Sequence, residues 1–88
     1  MTQEDLHEYA RRQPFVPFRV LLTTGLTFEV PHPELILVGR RSAVFGLPRN
    51  PEDKIYDRTV VVDLFHIVSI EPVVNATPMA NGFQDDEA

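Results

Sequence analysis

Three arginines and two aromatic residues are the side chains in this 88-residue sequence best suited to recognising a partner. Arg40, Arg41 and Arg49 carry fixed cations with planar donor sets that fit carboxylates and phosphates. Phe45 and Tyr56 flank a long loop, where an exposed ring offers a stacking face. These five residues form the candidate binding surface. The arginines converge only if the strands on either side of Arg40-Arg41 fold into a hairpin, and an arginine pair in a turn is more commonly solvated.

His7, His32 and His66 raise the question of metal or proton chemistry. They fall on separate elements, no His-x3-His pair joins them, and there is no cysteine to complete a site. His32, held between two prolines, reads as a turn residue whose ring hydrogen-bonds to nearby backbone. The four glycines are isolated, so no glycine-rich loop cradles a phosphate. No Ser/His/Asp arrangement follows from the spacing. Asp63 alone among the acids has an apolar setting, beside Leu64 and Phe65, and its simpler role is to cap a 3₁₀ turn. This inventory predicts no catalytic residue, no metal and no cofactor, and a protein that is not an enzyme.

Charge narrows the partners. The net charge is −5, divided unevenly. Residues 1–50 hold six arginines against five acids, and residues 51–88 hold Lys54 and Arg58 against eight. An acidic chain repels phosphate backbones, which disfavours nonspecific nucleic-acid binding and leaves protein, self or other, as the expected partner. No apolar run approaches the roughly 20 residues of a membrane span, and the acidic start is unlike a signal peptide. A cytoplasmic protein with no membrane partner is expected. A chain this short buries only about 60–65% of its unfolded surface. With no disulfide to staple it, it must rely on packing or oligomerisation, and a homo-oligomer is predicted.

The elements that position these residues begin with a helix over 2–12. Thr2 caps it, Glu4 and Asp5 lie in its first turn, and Arg11 and Arg12 in its last. Leu6, Tyr9 and Ala10 make one apolar stripe, and Pro14 ends the helix. The period then changes to two. Phe18, Val20 and Leu22 alternate with Arg19, Leu21 and Thr23; after Thr24-Gly25, Leu26, Phe28 and Val30 alternate with Thr27 and Glu29. That pattern is a β-hairpin with Phe18, Val20, Leu22, Phe28 and Val30 as its core face. Leu21 on the polar face implies a partial cover there, expected from the helix.

Pro31 and Pro33 end the second strand, and His32-Pro33-Glu34 makes a turn. Further strands follow at Leu35–Val38, Ala43–Leu47, Arg58–Asp63 and Ile67–Val73. Gly39–Ser42 is a turn, 48–54 the long loop, and Leu64–His66 a 3₁₀ turn. In the last strand Ile67, Ser69, Glu71 and Val73 should share one face, and Val68 and Ile70 the other. Phe15, Phe18, Phe28 and Phe65 are expected in the core. The whole reads as one domain over residues 1–74, mainly β with an N-terminal helix, forming a small, strongly bent antiparallel sheet or barrel of SH3-like or Sm-like type. Residues 75–88 are expected to be a disordered acidic tail.

Pro14-Phe15-Val16-Pro17-Phe18, the hairpin, His32-Pro33 and the closing Ile67-Val68-Ser69-Ile70-Glu71 together resemble a family of short bacterial proteins of unassigned function. The resemblance covers about residues 3–73. Those proteins carry an acid, a glycine and a base in the hairpin turn, where this chain has Thr24-Gly25-Leu26. In element order the chain is also similar to Sm-like barrels, which implies edge-to-edge rings and RNA binding. No asparagine follows the second strand where Sm-like proteins contact bases. The expected function is therefore a protein-interaction or regulatory module, with an Sm-like RNA-binding barrel as the alternative.

Overall fold

The computed structural model describes residues 1–73. Helix α1 spans Gln3–Arg11, and its Thr2 cap accepts a hydrogen bond at Oγ1 from the Asp5 N–H at 3.1 Å. This is the capping geometry that the sequence predicts. Leu6 and Ala10 are fully buried, and the Tyr9 ring meets Phe18 with centroids 5.7 Å apart. The Arg12 guanidinium lies over that tyrosine ring, 4.4 Å from its centroid. A helix of nine residues is marginal alone, so these contacts hold it in place.

Six strands follow: β1 Phe18–Leu22, β2 Thr27–Val30, β3 Ile36–Val38, β4 Ser42–Leu47, β5 Arg58–Asp63 and β6 Ile67–Pro72. They make two antiparallel three-stranded sheets, in orders β2-β1-β6 and β3-β4-β5. The β1–β2 turn is closed by Gly25 N donating to Leu22 O and Leu22 N to Leu26 O, both at 2.9 Å. Gly25 has φ +91°, a conformation that a side chain would strain, so glycine is required at this hairpin position.

The fold is mainly β with an N-terminal helix, as expected, and of the sheet or barrel anticipated it takes the sheet form: among the described residues no ladder closes around it. The chain changes sheets twice, each time through a 3₁₀ turn, at Pro33–Leu35 and Leu64–His66. Pro31 and Pro33 have no N–H to donate, which prevents a continuous ladder from β2 into β3. Asp63 Oδ1 accepts from Phe65 N at 2.8 Å, capping the second turn as its position in the sequence predicts.

Phe18, Phe45, Leu6, Ile36, Val20 and Val30 are the largest fully buried side chains. Phe28 of the first sheet stacks on Phe45 of the second, centroids 5.6 Å apart, so the core lies between the sheets. The predicted hairpin face points into it. Two facing assignments change. Leu21 is not covered by α1, because the helix joins the cluster around Phe18 and Val20 on the opposite side of β1. In β6, Leu22 pairs with Ile67 and Leu21 with Ser69, so Val68 is an extra residue in a bulge. The bulge shifts the alternation by one, and Ile67 and Ile70 both pack toward the core while Val68 faces out.

Phe65 also departs from expectation. It is 83% exposed, because Leu64 and Ile67 take the inward positions around its turn. Residues 75–88, expected to be an acidic tail, lie outside the described residues.

Candidate interaction surface

The second sheet has one buried face and one open face. Ala43 and Phe45 of β4, Ile36 of β3 and Val62 of β5 point inward and are buried. Alternation therefore turns Leu37, Val44 and Val61 outward. The pairing register sets Leu37 opposite Val44 and Val44 opposite Val61, so the three form a single row across all three strands. Leu37 is 63% exposed and Val61 65%. A row of aliphatic side chains crossing a sheet to solvent is the kind of patch that marks a contact surface.

Tyr56 borders this row. Its ring covers Gly46 on the same face: a Cβ added to that glycine would stand 3.0 Å from Tyr56 Cδ2. Only a residue without a side chain allows so close an approach. Ser42 and Asp63, directly opposite each other, border the other side of the row.

The two edges of this sheet differ. At β3, Arg11 donates through Nη2 to Ile36 O at 2.9 Å and through Nη1 to Pro33 O at 3.1 Å, so the helix occupies that edge. Among the described residues the β5 edge has no strand beside it. Leu64 N donates to Arg41 O at 2.8 Å, continuing the β4–β5 register. In an antiparallel ladder this makes Arg58, Val60 and Val62 the residues bonded to β4, while Thr59, Val61 and Asp63 direct their N–H and C=O groups outward.

The five residues singled out from the sequence do not form one surface. Arg40 and Arg41 lie in the β3–β4 turn, closed by Gly39 N donating to Ser42 O at 2.7 Å. The hairpin exists as required, but Arg49 lies past the far end of β4. Six strand residues, about 20 Å, intervene, so the arginines do not converge. Arg49 pairs instead with Asp57, Nε to Oδ2, at 3.2 Å. Phe45, expected beside the loop and partly exposed, is 1% exposed, because its position on β4 faces the other sheet. Tyr56 alone reaches the open face.

The histidines remain apart. His7 is exposed on α1. His32 Nε2 donates to Pro51 O at 2.9 Å, tying the turn to the long loop, a backbone bond as expected but to a distant segment. His66 Nδ1 lies 3.2 Å from Thr23 Oγ1. Among the described residues no group of three His, Cys, Asp or Glu is placed to hold a metal. A cleft of about 210 Å³ beside Pro31, Leu47 and Arg49 is smaller than the roughly 300–1,000 Å³ of most small-molecule sites. Two wider clefts, of about 440 Å³ along α1 and about 460 Å³ beside the long loop, have the size but are lined almost wholly by polar and charged residues rather than the apolar walls of such sites.

The sequence reading missed Leu37, Val44 and Val61. The signal was present in the unbroken runs Leu35–Val38 and Thr59–Val62. Such runs are typical of strands covered on both faces, and here the domain covers only one. No family model matches the chain, and neither a curated protein nor a solved structure does.

Proposed function

We propose that this protein is a small non-enzymatic interaction module that self-associates through the open face and edge of its second sheet. The observation carrying this reading is the row of Leu37, half-buried Val44 and Val61 on the sheet's open face, which ends at a strand edge with no neighbour among the described residues. Both features expose groups that gain free energy when covered, apolar surface in one case and backbone donors and acceptors in the other. The order of helix, strands and 3₁₀ turns fits an opened relative of the SH3-like and Sm-like barrels, acting in the cytoplasm. Light scattering across a concentration series tests the reading. A mass above the 10.0 kDa of one chain is expected, and a mass of one chain at every concentration overturns it.

A second reading has its own observation. The bond from Leu64 N to Arg41 O brings the Arg40-Arg41 turn against the turn holding Phe65 and His66. Two cations beside an aromatic ring that is 83% exposed is a pairing suited to single-stranded RNA. Binding that falls steeply with ionic strength and is lost in Arg40→Glu/Arg41→Glu would favour it. No retention of RNA at low salt would remove it.

A further inference from the structure

Resting on the self-association proposed above, we infer that two copies pair through β5 in an antiparallel, two-fold arrangement with Val61 on the symmetry axis. The backbone supplies the first constraint. Thr59, Val61 and Asp63 hold the outward-facing N–H and C=O groups of β5. An antiparallel pairing between identical edge strands has its axis normal to the sheet, and one residue faces its own copy.

Three registers that use the outward-facing groups centre on the valine run, and the side chains choose among them. With the axis at Val60, Asp63 stands opposite the partner's Asp57, and Val61 opposite the partner's Thr59. Two carboxylates then face each other and the apolar row is interrupted, both unfavourable. With the axis at Val62, Val61 stands opposite the partner's Asp63, setting an aliphatic side chain against a charge. With the axis at Val61, Thr59 stands opposite the partner's Asp63 at both ends. Asp63 Oδ1 is bonded to Phe65 N, which leaves Oδ2 to accept from the threonine hydroxyl.

The Val61 register also completes the surface. Leu37, Val44 and Val61 continue directly into the partner's Val61, Val44 and Leu37, so one apolar row crosses a sheet of twice three strands. Each of Thr59, Val61 and Asp63 gains main-chain partners for both its donor and its acceptor. The other edges suit this role less well: β3 is capped by Arg11, β6 carries the Val68 bulge, and β2 is only four residues long.

Cysteine cross-linking reads the register directly, because the chain has no cysteine of its own. In Val61→Cys the two Cα atoms would be about 5.5 Å apart, within the span of a disulfide. In Thr59→Cys the two copies of the residue would be about 13 Å apart, beyond it. Under mild oxidation Val61→Cys should form a covalent dimer and Thr59→Cys should not. Val61→Lys, a change at an exposed site, should lower the mass from two chains to one while leaving the circular dichroism spectrum unchanged. If the unmodified protein is an oligomer but Val61→Lys leaves its mass unaltered, or Thr59→Cys links as readily as Val61→Cys, the β5 arrangement is wrong and self-association stands. If the unmodified protein is a monomer throughout, both are wrong.

Discussion

The ring of Tyr56 rests on the bare backbone of Gly46, so close that a Cβ there would meet Cδ2 at 3.0 Å and Cβ and Cγ at 3.1 Å. Tyr56 follows the long loop and Gly46 lies near the end of β4, so this contact fixes the loop's return onto the sheet. The neighbouring bond from Asp57 N to Leu47 O, 3.0 Å, secures the same return. Gly46→Ala should therefore destabilise the protein by about 1–3 kcal/mol, the range of overpacking substitutions. In a Tyr56→Ala background, where the ring is gone and only the Cβ contact at 3.1 Å remains, the same change should cost less. A double-mutant cycle by urea denaturation measures the coupling; additive effects would show that the contact does not constrain the loop.

Phe45 gives a sharper test of its corrected position. A residue on a binding surface is truncated at little cost to folding, whereas a buried aromatic costs about 3–5 kcal/mol. For a chain of this size, with stability of order 5 kcal/mol, Phe45→Ala should leave little folded protein. Thermal denaturation followed by circular dichroism decides, and a Tm close to that of the unaltered protein would place Phe45 outside the core.

Arg11 has a larger role than its place in the last turn of a helix suggests. Its guanidinium reaches the carbonyls of Pro33 and Ile36, joining α1 to the start of β3. Arg11→Ala should cost about 1–2 kcal/mol, below the upper range for charge-assisted bonds because the side chain is exposed. Amide hydrogen exchange should then quicken in α1 before it does in β1 or β4. Uniform acceleration across all elements would show that the contact does not hold the helix specifically.

Arg19 lies between two acids on the outer face of the first sheet. It pairs with Glu29 at 3.0 Å and Glu71 at 3.5 Å, and the strand register places both directly opposite it. All three side chains are well exposed, so the network should contribute no more than about 1 kcal/mol. Arg19→Gln should lose that contribution in dilute buffer and differ little from the unaltered protein in 1 M salt, where the screening length is about 3 Å. A loss of stability that does not depend on salt would point to packing of the arginine stem instead.

Local patterns carried most of the fold in the sequence. The Thr2 cap, the glycine turn after Thr24, β5 over Arg58–Asp63 and the Asp63-capped turn each depend on residues within a few positions of one another. Misreadings arose where a distant partner decides. Nothing next to Val68 announces the bulge, since it is the pairing with β1 that requires an extra residue. Phe45 and Tyr56 look alike in sequence, yet one falls on the inward phase of β4 and the other is carried across the outer face by the loop. Sequence proximity likewise made Arg49 a companion of Arg40 and Arg41, when the length of β4 holds them apart.

The bulge at Val68 bears on how far assembly can go. A molecule with two regular, unguarded strand edges can add copies at both, and growth then has no natural end. The inserted residue spoils the ladder at β6, Arg11 fills the edge at β3 and β2 is only four residues long, which leaves β5 as the longest regular edge open among the described residues. Copies that meet through that one edge use it up on both sides. Removing Val68 would restore a regular edge and realign the inward residues of β6. The change expected is from a finite particle to filaments, visible by electron microscopy and by thioflavin fluorescence.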